Sequence, residues 1–135
     1  MDKSKKIIIA GAGIGGLAAA ACLLQEGYNV RVYEQAPELG EIGAGIQTSA
    51  NAVKVLHHLG LAKKLAEVSV KPKAFEFRLY DSGEVMHKVP LAEAHEAQHG
   101  APYYHIHRSD IHRILADRVL ELDPNAVVLN STAVG

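Results

Sequence analysis

The charged and apolar positions of this chain change rhythm several times. Ile7 to Leu24 is a run of eighteen residues without a charge, behind Lys3, Lys5 and Lys6. Within it, residues 6 to 10 (KIIIA) are almost continuously apolar and rich in β-branched side chains, the pattern of a parallel strand covered on both faces. Residues 15 to 26 are rich in Ala and Leu and predict a helix, with Gly27 placed to close it. Residues 29 to 34 (NVRVYE) predict a second strand. Strand, helix and strand within about thirty residues make a βαβ unit.

Residues 37 to 50 (PELGEIGAGIQTSA) break the rhythm with glycines and read as a loop. A helix over 51 to 60 closes at Gly60, and 62 to 68 predict a further short turn of helix. FEFRLY and EVMHKV flank Asp81-Ser82-Gly83 and predict a β-hairpin. YYHIH, 103 to 107, predicts a short strand. Ser109 suits the N-cap of a helix running to about residue 122, with Asp110 in its first turn. Asp123-Pro124 ends that helix, and AVVLN predicts a last strand. The expected fold class is α/β: a Rossmann-like βαβ with a parallel sheet, plus a β-hairpin.

The uncharged run admits two other readings. Eighteen residues is about the lower limit of a membrane span. A basic start, an apolar stretch and small residues before Cys22 also imitate an export signal. Yet four glycines in the run make a poor isolated helix, at about 1 kcal/mol each against Ala. A strand with polar positions follows, and Ala19 stands where a lipoprotein cleavage site has a branched apolar residue. A glycine turn made for a nucleotide accounts for the run better, and the cytoplasm is the expected location. The composition agrees, with 48% hydrophobic and 21% charged residues and a formal net charge of -1. Such a chain is globular and carries no basic field for nucleic acid or anionic lipid. The single cysteine cannot form an internal disulfide, and Cys22 reads as a small packed helix residue.

Gly11, Gly13 and Gly16 in GAGIGG form G-x-G-x-x-G after a strand and at the opening of a helix. The first glycine permits the tight turn, the second lets backbone N–H groups approach a pyrophosphate, and the third lets helix and strand pack closely. The helix N-terminus adds its partial positive charge. Glu34 ends the second strand, eighteen residues after Gly16, where a carboxylate accepts hydrogen bonds from both ribose hydroxyls of an ADP moiety. The same carboxylate repels a 2′-phosphate, which disfavours NADP at this site. The fingerprint alone leaves NAD and FAD both open.

Three segments carry a resemblance beyond the fingerprint: IIIAGAGIGGLAAA, VRVYEQAPELGEIGAGIQTSANAVKVLHHLGL and IHRSDIHRIL. In this order they resemble the class A flavoprotein monooxygenases, above all the salicylate hydroxylase and 3-hydroxybenzoate 6-hydroxylase branch. The resemblance runs over essentially all 135 residues. It implies FAD as cofactor and NAD(P)H as co-substrate, with O2 used to hydroxylate a small phenolic or aromatic acid. The cofactor-binding residues it implies are Gly11, Gly13, Gly15, Gly16 and Glu34 for the ADP portion. Gln35 stands where relatives often carry Arg. Gly45 and Gln47 fall beside the ribityl chain and flavin, Arg108 on the pyrophosphate and ribityl oxygens, and the backbone near Ala133 beside the adenine. The 6-hydroxynicotinate enzymes place His where this chain has Gln47, which favours the hydroxybenzoate branch. The amine oxidases share the first loop but continue with Arg-x-Gly-Gly-Arg, where this chain has LGEIGAGIQ.

The resemblance also implies that residues 1 to 135 are the N-terminal part of a longer FAD-binding monooxygenase domain, an incomplete domain lacking the catalytic base and the later cofactor motifs. One side of the 7 to 10 strand is then expected to lack its neighbours. Two other readings stay open: an NAD-dependent dehydrogenase fragment, or a non-catalytic nucleotide-binding module. No metal is expected. HEAQH (95 to 99) matches H-E-x-x-H, but Gly100 and Pro102 follow at once and the segment falls in a variable loop of relatives. His105 and His107 share one face of a strand, and His57-His58 end a helix.

Overall fold

The computed structural model describes residues 3 to 40 and 43 to 134. In chain order the elements are β1 (Lys6–Ala10), α1 (Ile14–Gln25), β2 (Asn29–Tyr33), β3 (Gly45–Thr48), α2 (Ala50–His58), α3 (Ala62–Val68), β4 (Ala74–Arg78), β5 (Val85–Pro90), α4 (Glu93–His99), β6 (Tyr104–His107), α5 (Arg108–Leu122) and β7 (Val127–Val128). They form two compact units: Met1–Ala44 with Arg108–Gly135, and Gly45–His107.

The first unit is the Rossmann-like part. β1, β2 and β7 form a parallel sheet in the order β1-β2-β7. The βαβ connection runs through α1, which packs on the sheet and against α5. Ala20 and Ala21 of α1 are fully buried, and such small side chains let a neighbouring element approach closely. Leu17, Val30, Val32, Leu115, Val119 and Ala126 complete that core at zero exposure. The ion pair of Arg31 with Asp123 (2.8 Å) ties β2 to the residue that follows α5.

The second unit pairs β3 with β6 and β4 with β5, both antiparallel. Its core joins Val53 and Leu56 of α2 to Leu59, Leu61, Leu65, Leu91, Tyr104 and Ile106. The predicted hairpin is present as β4 and β5. No helix among the described residues is long and apolar enough to cross a membrane.

Five expectations need correction. β1 is not covered on both faces: it is the edge of its sheet and Ile8 is 65% exposed. The stretch read as a loop over 37 to 50 contains β3; its residues 41 and 42 lie outside the described residues. β3 exists because β6 offers a partner, with Ile46 opposite Ile106 and Thr48 opposite Tyr104. Ser109 is not an N-cap, since α5 already begins at Arg108. HEAQH is no loop but part of α4, which Gly100 closes in the left-handed conformation at φ 72°. The final strand shrinks to Val127–Val128, because Asn130 turns the chain at φ 51°.

Candidate functional site

The first unit builds its site on the turn between β1 and α1. Gly11 takes φ 94°, a conformation that only glycine adopts readily. A Cβ on Gly16 would lie 2.0 Å from the Gly11 carbonyl oxygen, so the third glycine is required for close packing of helix on strand. Gly13 is the N-cap of α1 and brings no capping side chain; no acidic residue stands in the first turn. The first helical bond runs from the Leu17 amide to the Gly13 carbonyl (2.9 Å). The amides of Ile14, Gly15 and Gly16 therefore have no acceptor within the helix, and the space beside Gly15 is open. This end of α1 is built for an anion.

Glu34 follows β2 and is fixed through its backbone and its side chain. Its amide donates to the Val128 carbonyl (2.9 Å) and its carbonyl accepts from the Ser131 amide (2.8 Å). The carboxylate accepts from the Ala12 amide (2.6 Å) and from the Ala36 amide (2.9 Å). The Ala12 and Ala36 bonds hold the Glu34 carboxyl below its ordinary value near 4.5. The carboxylate is thus anionic and oriented. Two acceptor positions are filled by backbone, and the remaining lone pairs of both oxygens can take hydroxyl donors.

Clefts open on both sides of Glu34. One, of about 150 Å³, is lined by Ala12, Gly13, Glu34, Ala36, Glu38 and His112, among others. The other, of about 190 Å³, is lined by Gly11, Tyr33, Glu34, Gln35, Ser131, Thr132 and Ala133. The structure thereby brings together Gly11, Gly13, Glu34, Gln35 and Ala133. Arg108 is exposed at the start of α5, with its amide on the Ala44 carbonyl (3.2 Å). Gly45 and Gln47 lie on β3 in the second unit. There the Gln47 amide oxygen accepts from the Tyr103 hydroxyl (2.9 Å), which leaves its NH2 group to donate elsewhere.

Three residues of the first unit escaped the sequence reading. His112 is buried at 3% exposure and its Nε2 donates to the Ala12 carbonyl (2.8 Å). It lies four residues after Arg108 in IHRSDIHRIL, so the helical period alone places the two on one face of α5. Gly43 is needed because a Cβ there would come within 2.8 Å of the Arg108 side chain. Asn130 makes the turn that lays residues 131 to 133 along Glu34 and Gln35; Asn tolerates that conformation better than most residues.

The histidines carry no metal geometry. The His95 and His99 rings stand 4.5 Å apart on α4, but no group of three His, Cys, Asp or Glu residues that could hold an ion occurs among the described residues. Burial, and secondarily Glu26, push the Cys22 thiol above its ordinary value, which fits a packed residue and not a nucleophile.

Residues 9 to 53 match a model of the NAD(P)-binding Rossmann-like domain. The chain is 46% identical over 115 residues to a 3-amino-4-hydroxybenzoate 2-monooxygenase of Streptomyces cremeus, covering 85% of this chain and 29% of that protein. A 6-hydroxynicotinate 3-monooxygenase of Pseudomonas fluorescens is 42% identical, covering 87% and 30%. A 3-hydroxybenzoate 6-hydroxylase of Polaromonas naphthalenivorans is 41% identical, covering 85% and 29%. Overall identity does not separate the last two, so it adds nothing to the branch reading drawn from Gln47. Among solved structures, Klebsiella pneumoniae HpxO complexed with FAD and uric acid superposes with TM-score 0.77 at 30% identity, over 96% of this chain and 32% of that one. The chain is a homologue of the N-terminal, dinucleotide-binding part of the FAD-dependent aromatic hydroxylases. It spans 29% to 30% of the length of these three curated relatives.

Proposed function

We propose that this chain forms the N-terminal part of an FAD-binding domain and holds the ADP portion of FAD, in a monooxygenase that hydroxylates a phenolic or other aromatic acid with NAD(P)H and O2. The observation that carries this reading is the Glu34 carboxylate, held anionic by two backbone amides between two clefts. An ADP moiety fits this donor and acceptor set: open helix amides for its phosphates, a fixed carboxylate for its ribose hydroxyls.

In this reading Gly11 and Gly16 shape the turn, while Gly13 and Gly15 let the pyrophosphate approach the backbone. Glu34 takes the ribose, and Gln35 and Ala133 flank the adenosine. The Arg108 guanidinium reaches pyrophosphate and ribityl oxygens with charge-assisted hydrogen bonds. Gly45 and Gln47 belong with the ribityl chain and flavin. When bound, FAD would supply the redox chemistry that joins NAD(P)H oxidation to insertion of one oxygen atom of O2 into the ring, the other leaving as water. The relatives' names support an aromatic acid as substrate; the hydroxybenzoate type is preferred here because Gln47 replaces His.

The test is the intact protein itself. It should carry a flavin absorption spectrum and oxidise NADH or NADPH faster when salicylate or 3-hydroxybenzoate is added. A colourless protein that takes up NAD and not FAD would contradict the proposal.

A further inference from the structure

Ala12 sits between two glycines, and this makes its orientation a problem that the rest of the fold must solve. Gly11 and Gly13 impose few torsional limits on the peptide units that join them to Ala12. Yet the loop serves a pyrophosphate only if its amides face outward. Both backbone groups of Ala12 are pinned from outside the loop. Its N–H donates to Glu34 Oε2 at 2.6 Å, and its carbonyl accepts from His112 Nε2 at 2.8 Å.

The second pin controls more than the carbonyl. The Ala12 carbonyl and the Gly13 N–H belong to one planar trans peptide and point in opposite directions. Fixing the carbonyl on His112 therefore fixes where the Gly13 amide points. A carbonyl oxygen only accepts, so Nε2 carries a proton. Both the neutral Nε2–H tautomer and the imidazolium satisfy this. Ala12 is 2% exposed and His112 3%, so the bond is shielded from solvent in the folded chain.

We propose that His112 is a positioning residue of the dinucleotide site, holding the Ala12–Gly13 peptide so that the glycine-loop amides stay presented to the FAD pyrophosphate. The inference rests on the reading of this loop as an FAD site. It assigns to α5 a role in that site beyond carrying Arg108.

The test measures dissociation constants for FAD and for ADP with the apo form of the intact protein and its His112→Gln, His112→Asn and His112→Leu variants. Gln can place an N–H donor where the imidazole Nε2 stands, whereas Asn is too short and Leu has none. His112→Gln should bind both nucleotides within about threefold of wild type, and His112→Asn and His112→Leu about tenfold more weakly. If His112→Leu does not fold, the Gln and Asn pair decides. Equal affinities for Gln, Asn and wild type would overturn the proposal, as would equal weakening by Gln and Asn. A wild-type protein that binds neither FAD nor ADP would instead overturn the reading of the site on which the inference stands.

Discussion

Glu34 concentrates most of the site's recognition chemistry in one carboxylate. Replacing it by Gln keeps the shape and removes the charge. This should weaken ADP and FAD binding by about 10- to 100-fold, the worth of hydrogen bonds to a charged group. Titration calorimetry on the apoprotein reads this directly. The pH sign follows from the Ala12 and Ala36 bonds, which hold the folded-state carboxyl below 4.5. The folded state takes up this proton less readily than the unfolded chain, so the group's stabilisation is present above about pH 4.5 and is lost as pH falls through its lowered folded value. Glu34 should therefore leave nucleotide affinity flat from about pH 8 to 6 and reduce it only in acid below its ordinary range. Gly16→Ala makes a separate prediction: with its Cβ 2.0 Å from a backbone oxygen, the substitution should cost about 1–3 kcal/mol, read as a lower urea midpoint. The three fingerprint glycines and Glu34 could be picked out because their spacing follows the pattern of a dinucleotide turn. His112, Gly43 and Asn130 were not: His112 bonds a peptide unit a hundred residues away, Gly43 matters for its clearance from the Arg108 side chain, and the turn at Asn130 shows only in the folded backbone.

At the scale of elements, the βαβ unit was readable because each piece carries its own period. α1 announces itself by Ala and Leu, β2 by alternation, and both lie where the pattern puts them to within one residue. β3 was not readable. Its Gly45 and the glycines before it argue for a loop, and only pairing with β6 makes the segment a strand. α4 shows the reverse: the Gly and Pro beyond it argue against a helix, yet Gly100 is its cap. α5 matters most for the account, since one element supplies Arg108, His112 and much of the core against α1. Leu115→Ala at zero exposure should cost about 2–5 kcal/mol in stability by chemical unfolding. The exposed Gln98→Ala on α4 should stay within about 0.5 kcal/mol.

Over the whole molecule, apolar surface stands out on both units. Ile8 is 65% exposed on β1, and Phe77 (58%) and Met86 (66%) lie bare on the hairpin of the second unit. Edge strands and apolar faces of this kind promote association. Residues 1 to 135 expressed alone should be poorly soluble and should not retain FAD through purification, as sedimentation and the flavin absorbance of the soluble fraction would report. The α/β class and the hairpin were read from pattern, whereas the choice of FAD came from resemblance and is supported by the similar HpxO structure, which is complexed with FAD. The central claim, that the β1–α1 turn and Glu34 hold the ADP portion of FAD, is tested most directly by competition on the apo form of the intact protein. FAD should bind with quenching of its fluorescence, ADP should displace it, and adenosine 2′,5′-bisphosphate should not, because Glu34 repels a 2′-phosphate. FAD that binds but is not displaced by ADP, or an Glu34→Gln protein that binds both as wild type does, would contradict it.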